Sequence, residues 1–473
     1  MIRLAPPPDL SAGERFGLDT LVDLSRLLVV DDAEADVVRL GVSPTAVYID
    51  QFLTRSIPPE RSEGEVRVPR QVLSHVTALA GAGHERKVTT SDKHGRVPTD
   101  ESLLVRAGRE REPVVQEYAE QLRAAVRAVA GRRPVGIVAP WPEGRRWAAA
   151  FTHDLDVVRG WPLFALLRVL ELGRAGRLGL AGRVLGSALA AIGNDPVGSS
   201  LRQVLAAEAT AGIKATWFAL CGQPSARTWL RGDLTYDIDA PAAALLIEQI
   251  RAAGHEIGLH GSFATALDQD RMGAEREHLA RLLGHPPAGV RQHFLKMRPG
   301  RTQQGMEAAG FEYDATFGFP DRNGFRLGVA DTVPACVGER AINLELVPLV
   351  WMDRALSKYR GVENPDAWVN DALELATTCR KSEGLWVGLW HPNLTPALGF
   401  PGAPAAFQRL LDTILAAGPY IAPLQRMVAW RRARRGVRAA RVAPDGRAEL
   451  RMAPGMEAFP IVVDMQESGA ASG

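Results

Sequence analysis

Apolar runs and amphipathic stretches alternate through the middle of the chain. Strand-like runs lie at 148–152, 214–220, 256–260, 289–295, 313–318, 344–351, 385–391 and, more weakly, 420–423. Between them, apolar residues recur at helical spacing near 201–212, 239–253, 268–283, 302–310, 365–379 and 404–416. Such alternation predicts βα units of the α/β class, with parallel strands buried on both faces. Seven or eight units predict a closed or nearly closed barrel with its active site at the C-terminal strand ends.

The flanks read differently. Residues 1–135 form a separate mixed α/β or helical region without evident chemistry. A polar loop at 89–100 turns at His94-Gly95. An amphipathic helix near 114–130 carries Val115, Tyr118, Leu122, Val126 and Val129 on one face. Gly131 to Pro134 stops that helix, and Pro140-Trp141-Pro142 links it to a barrel expected over 136–435. An insertion at 161–192 mixes long apolar residues with Arg168, Arg174, Arg177 and Arg183. The expectation is a helical pair covering the barrel; a lid or a membrane-surface patch is the sharper alternative. Arginines 431, 432, 434, 435, 438 and 441 read as a solvated helix face, with phosphate or anionic lipid contact as the alternative. Residues 436–473 are expected to form a small β hairpin turning at Asp445-Gly446, then a disordered tail.

Composition narrows the classes. A chain of 473 residues predicts two or three domains, and 46% hydrophobic with 23% charged residues reads as soluble and globular. A net charge of +2 gives no global reason to expect nucleic acid. Cys221, Cys336 and Cys379 form no pair at metal or redox spacing, so buried free thiols are expected. With no signal-like N-terminus and no window near the ~20 apolar residues of a membrane span, the expected compartment is the cytoplasm.

The chemistry centres on 149–156, where small and apolar residues run into Thr152-His153-Asp154-Leu155-Asp156. Side chains at i and i+2 of a strand share a face, so Asp154 and Asp156 project together while His153 faces away. Two carboxylates at a strand tip must bind a cation, share a proton or repel. His260 closes another run and is followed by Gly261-Ser262. Arg291 and His293 again stand at i and i+2, and His391 follows Trp390 at a fourth strand end. Together these side chains fit a divalent metal, read as zinc, that activates water for hydrolysis. Arg291 could hold a carboxylate, and His391 could act as an acid near neutral pH. The other histidines fare worse. His278 and His285 read as surface residues, His255 as a turn residue, and His75, His84 and His94 lack partners at ligand spacing.

Thr152 to Asp156, Lys214-Ala215-Thr216-Trp217-Phe218, His255 to Ser262, Gly289 to His293 and Gly388-Leu389-Trp390-His391 resemble, in that order, the polysaccharide deacetylases of carbohydrate esterase family four. The likeness spans roughly residues 140–430 and is greatest to a bacterial branch with a Thr-His-Asp-x-Asp motif and an added N-terminal region. It implies a distorted (β/α) barrel and metal-dependent removal of an N- or O-acetyl group from a sugar polymer or glycoconjugate. By that resemblance Asp154 is the general base, Asp156 and His260 are metal ligands, Arg291 steadies the base and His391 is the general acid. The oxyanion would meet the metal and a backbone N–H near the 291–293 strand end. Where the family's main pattern has a second metal histidine, this chain has Ala264. His293, sharing a face with Arg291, is the candidate third ligand. Trp390, Phe294 and Ser262 are candidates for substrate contact, although tryptophan is as often core. Two rivals remain: a non-catalytic carbohydrate-binding or scaffold protein of an envelope-polysaccharide pathway, which Ala264 favours, and a hydrolase of a non-sugar amide.

Overall fold

The computed structural model describes residues 1–158, 160–222, 224, 236–443, 447–452 and 461–466. The N-terminal region supplies strands β1 (Ile2–Leu4), β2 (Val29–Val30), β3 (Val38–Ser43), β4 (Glu60–Ser62) and β5 (Glu65–Pro69), followed by β6 (Val135–Val138). The barrel supplies β7 (Ala148–Leu155), β8 (Thr216–Leu220), β9 (Glu256–Gly261), β10 (Gly289–Gln292), β11 (Tyr313–Asp314), β12 (Val333–Val337), β13 (Arg340–Leu346), β14 (Trp351–Met352), β15 (Leu385–Leu389) and β16 (Tyr420–Ile421). Beyond them lie β17 (Arg438–Val442), β18 (Ala448–Arg451) and β19 (Val463–Gln466).

Every residue of β7 is buried, as expected of a parallel strand covered on both faces. The barrel sheet runs β12-β13-β11-β10-β9-β8-β7-β15-β14, parallel throughout except that β12 pairs antiparallel with β13. The C-terminal half of β7 pairs with β8, whereas its first residues, Ala148 and Ala149, pair with Tyr420 and Ile421 of β16. Closure comes from the irregular segment 347–350: Val347 N–H donates to Asp314 O, Leu349 N–H to Phe317 O and Val350 N–H to Val387 O. This is the expected α/β barrel, distorted where an unpleated segment replaces a stave. Helices Pro196–Thr210, Pro241–Ala252, Gln269–Leu283, Arg301–Ala308, Pro365–Lys381 and Ala403–Ala416 occupy the expected stretches. Several strands are shorter than their apolar runs suggest, β10 and β11 most of all. The 289–295 run leaves the sheet at Gln292 because Phe294 and Leu295 adopt φ of 59° and 52°.

The two ends of the chain share a second sheet, β18-β17-β2-β1-β3-β5-β4, in which β17 lies parallel to β2. The C-terminal strands thus extend the N-terminal sheet instead of standing alone. The expected Asp445-Gly446 turn and the tail beyond 466 lie outside the described residues.

The arginine run is not a solvated face. Arg431 is fully buried and Arg434 nearly so. From the helix Leu424–Arg435, Arg431 reaches Asp23 at 3.1 Å and Asp331 at 2.5 Å. Arg434 meets Asp331 at 3.1 Å, and Arg435 meets Asp23 at 2.9 Å and Glu345 at 2.8 Å. Carboxylates from the N-terminal helix Ala12–Ser25 (Asp23), a barrel loop (Asp331) and β13 (Glu345) converge there, so the charges are buried only because they are paired. All three cysteines are buried and free. Among the described residues no helix is long and apolar enough to cross a membrane.

Candidate active site

Each side chain of the site is delivered by a strand end. Asp154 is the penultimate residue of β7, and Asp156 lies just past it. His260 stands near the end of β9, Arg291 in β10, His293 immediately after β10, and His391 two residues past β15. Parallel register aligns these ends, with Arg291 directly opposite His260. The period-2 rule holds at β7: both aspartates turn into the barrel mouth, while His153 points outward. There its Nε2 lies 2.9 Å from Glu208 and its Nδ1 2.8 Å from Trp390 O. His153 therefore braces the chain beside His391 from behind.

The two carboxylates have separate environments. Arg291 is fully buried and donates to Asp154 Oδ1 at 2.9 Å, to Thr152 Oγ1 at 3.0 Å and to Ala315 O at 3.1 Å. Its guanidinium stacks 4.4 Å from the Phe218 ring centroid, so neither end of the Arg291–Asp154 pair can swing.

Asp156 instead faces imidazoles. Its Oδ1 lies 3.3 Å from His260 Nε2 and 3.7 Å from His293 Nε2, and its Oδ2 lies 3.6 Å from His391 Nε2. Oδ1 is nevertheless buried without a hydrogen bond of good geometry. Burial alone would raise the Asp156 carboxyl; the His260 ring, then His293 and His391, outweigh it and hold the acid well below the usual range.

One atom from each of Asp156, His260 and His293 lies within 4.8 Å of the others. Ligands about 2.1 Å from a zinc ion at tetrahedral angles stand roughly 3.4 Å apart, close to the 3.3 and 3.7 Å observed. His260 Nδ1 is engaged by Arg291 O at 2.9 Å, which leaves Nε2 as the inward nitrogen. Three donors and an orphaned carboxylate oxygen fit a divalent cation. His293 thus stands beside Asp156 and His260, whereas Ala264 sits in the turn after β9.

His391 has its own carboxylate, which the sequence reading missed. Asp353, fully buried, accepts from the His391 backbone N–H at 2.6 Å and lies 2.7 Å from its Nδ1. Burial alone would lower the His391 pKa; Asp353, then Asp156 and Asp154, outweigh it and raise it. Asp353 follows Trp351-Met352, so the strand-end rule applied to that run was the available signal.

These groups open into a small cavity whose wall includes Phe294, Leu295, Pro320, Met352, Arg354 and Lys358. Arg96, from the stretch expected to be a surface loop, lines it too. It is 3% exposed, ion-paired to Asp92, and donates to Phe294 O at 2.8 Å. His94, set aside for want of partners, stacks on Phe294 at 5.1 Å, and Phe294 stacks on His293 at 4.0 Å. Desolvation, then the neighbouring Arg354 charge, lower the Lys358 amine to about 8.

Of the expected substrate contacts, only Phe294 faces this cavity. Trp390 is 3% exposed and packs against Trp351 and Trp368. Ser262 is committed to Glu275, at 2.5 Å from its hydroxyl and 3.0 Å from its N–H. The remaining histidines lie elsewhere. His278 pairs with Asp239, and His255, between a turn and β9, is buried near Glu208.

No protein-family model and no curated protein matches the chain. Solved structures do match. A Mycobacterium smegmatis protein described as a candidate polysaccharide deacetylase is 22% identical, over 65% of this chain and 96% of that one, with a TM-score of 0.43. PuuE allantoinase is 16% identical over 61% of this chain and 92% of that one, TM-score 0.41. A Bacillus anthracis pseudoenzyme of carbohydrate esterase family four is 10% identical over 59% and 65%, TM-score 0.31. At TM-scores below 0.5 these likenesses decide neither fold nor chemistry, which rest on the strand pairings and the side-chain geometry.

Proposed function

We propose that the chain is a polysaccharide-deacetylase-like hydrolase that removes an acetyl group from an N- or O-acetylated sugar with the help of a divalent metal, zinc by its donor set. The observation that carries this reading is the division of labour between two adjacent carboxylates. Asp154 is clamped by Arg291, and Asp156 is turned toward three imidazoles. Carboxylates in contrasting environments are a mark of separate chemical roles.

Asp156, His260 and His293 would hold the metal. When bound, it would polarise the acetyl carbonyl and make an adjacent water more acidic. Asp154 takes a proton from the attacking water, its orientation fixed by Arg291. Backbone N–H of the turn at Phe294 and Leu295, both left-handed and both lining the cavity, would meet the charge that develops on the carbonyl oxygen. Leu295, Pro320 and Met352 give an apolar wall for the acetyl methyl group. His391, its Nδ1 tied to Asp353, presents Nε2 to the cavity and protonates the departing amine or alkoxide.

A purely binding surface has no need of a clamped base and a carboxylate-backed imidazole in one cavity. The experiment is metal content alongside acetate release from a panel of acetylated sugars. Asp154→Asn should abolish turnover with metal retained, and Asp156→Asn should release the metal. Activity surviving in both variants would overturn the assignment, and metal bound without acetate release from any sugar would favour the non-sugar amide or the binding role.

A further inference from the structure

The stretch 161–192 folds into two helices, Trp161–Arg174 and Leu178–Ala190, packed on each other. Each buries a narrow stripe: Trp161, Ala165 and Leu172 on the first, Leu180, Ala181 and Val184 on the second. Each also exposes a second apolar stripe. Leu166, Leu167 and Leu170 are 54%, 43% and 46% exposed. Leu178, Leu185, Leu189 and Ile192 are 72%, 48%, 58% and 70% exposed. Among the described residues, seven of the thirteen exposed large hydrophobic side chains thus fall in this one hairpin. Leu166 and Leu170 stand at i, i+4, as do Leu185 and Leu189, and Ile192 lies just past the end of the second helix. Each pair therefore forms a single helix face.

The hairpin is net positive, with Arg168 paired to Glu171 at 2.7 Å. Four arginines stand against Glu171, the single acidic residue of 161–192, although Arg177 and Arg183 also lie near Glu363. The hairpin is also continuous with the active site. One cavity is lined both by Phe164, Leu167, Arg168 and Glu171 of the first helix and by Asp156, His293 and His391. Arg354 and Lys358 border both this cavity and the catalytic one. Phe400 lies between the Arg168 and Arg354 guanidiniums, 5.5 and 5.0 Å from its ring centroid. Arg168, Arg354 and Lys358, with Glu171 as the one carboxylate of the hairpin among them, thus run from the leucine face to the reacting centre.

We propose that the 161–192 hairpin seats on an anionic lipid bilayer, so that the acetylated sugar reaches Asp154 and His391 from a lipid-anchored, phosphate-bearing glycoconjugate. A leucine-rich face with interspersed arginines fits an interfacial helix pair, since burial in the headgroup region and attraction to anionic lipid act together. Arg168, Arg354 and Lys358 lie where a phosphate between lipid and sugar would pass. Docking stands on the hairpin alone, whereas the lipid-anchored substrate rests on the deacetylase reading.

The test is flotation of the full chain with phosphatidylcholine vesicles, with and without about one-third phosphatidylglycerol. Partitioning onto the anionic vesicles should be stronger by roughly tenfold or more, and salt should weaken it. Leu170→Gln/Leu185→Gln/Leu189→Gln, changed at exposed positions, should melt like the parent yet fail to float. Absence of flotation by the parent, or flotation undiminished in the triple variant, would overturn docking. So would a concentration-dependent dimer abolished by the same substitutions, which would assign the face to a second copy. Acetate release is then compared between a short soluble acetylated sugar and an acetylated sugar carried on a prenyl phosphate in those vesicles. Preference for the vesicle-borne form is expected. Hydrolysis of the soluble form alone would overturn the lipid-anchored substrate, and hydrolysis of neither would overturn the deacetylase reading while flotation still decides docking.

Discussion

Asp353 grips His391 twice, through the backbone N–H at 2.6 Å and through Nδ1 at 2.7 Å. One carboxylate thereby sets both where the imidazole sits and which nitrogen faces the cavity. Because Asp353 is the main influence raising the His391 pKa, it also sets the pH range over which His391 carries a proton. A raised pKa means that the acid form is present at lower pH and is lost as pH rises through it. Asp353→Asn should move the alkaline limb of the kcat profile to lower pH and reduce kcat by roughly a hundredfold or more. An unshifted alkaline limb would separate His391 from the acid role.

His293 is expected to hold metal. His293→Ala should weaken metal affinity by more than the roughly 10–100-fold typical of losing an outer hydrogen-bond partner. Direct metal analysis after dialysis checks this, and unchanged occupancy would remove His293 from the ligand set.

Arg96 ties the N-terminal region to the site through Phe294 O. Arg96→Ala removes a charged hydrogen bond from the turn that carries His293 and should lower kcat/KM about tenfold, equivalent to ~1.4 kcal/mol. Metal content should be retained. Kinetics indistinguishable from the parent would restrict the 89–100 stretch to a covering role.

Asp23 anchors the buried arginines. Burial alone would raise its pKa, but Arg431, Arg435 and Arg434 depress it strongly. Its stabilisation is fully present above the unfolded carboxyl value of about 3.9 and is lost as pH falls from there through the depressed folded value. Asp23→Asn leaves the fully buried Arg431 and its neighbour Arg435 short of charge and should cost about 3–5 kcal/mol at neutral pH. A fall in Tm that disappears in strong acid would match; an unchanged Tm at neutral pH would refute it.

By itself the sequence determined the barrel staves and most of the site, because both follow from short-range periodicity. Alternation with period 2 turned Asp154 and Asp156 one way and His153 the other, and burial on both faces marked the parallel strands. Only tertiary structure decided what depends on partners far along the chain. Asp353 meets His391 across 38 residues, and Arg96 meets Phe294 across 198. The arginines of 431–435 resembled a solvated face because their carboxylates, Asp23, Asp331 and Glu345, are supplied by other elements. Trp390 and Ser262 passed as substrate contacts because burial depends on what packs over a strand end. At Asp154 and Asp156 the division is plain. Local backbone geometry put both carboxylates on one face, and the fold gave Arg291 to the first and three imidazoles to the second.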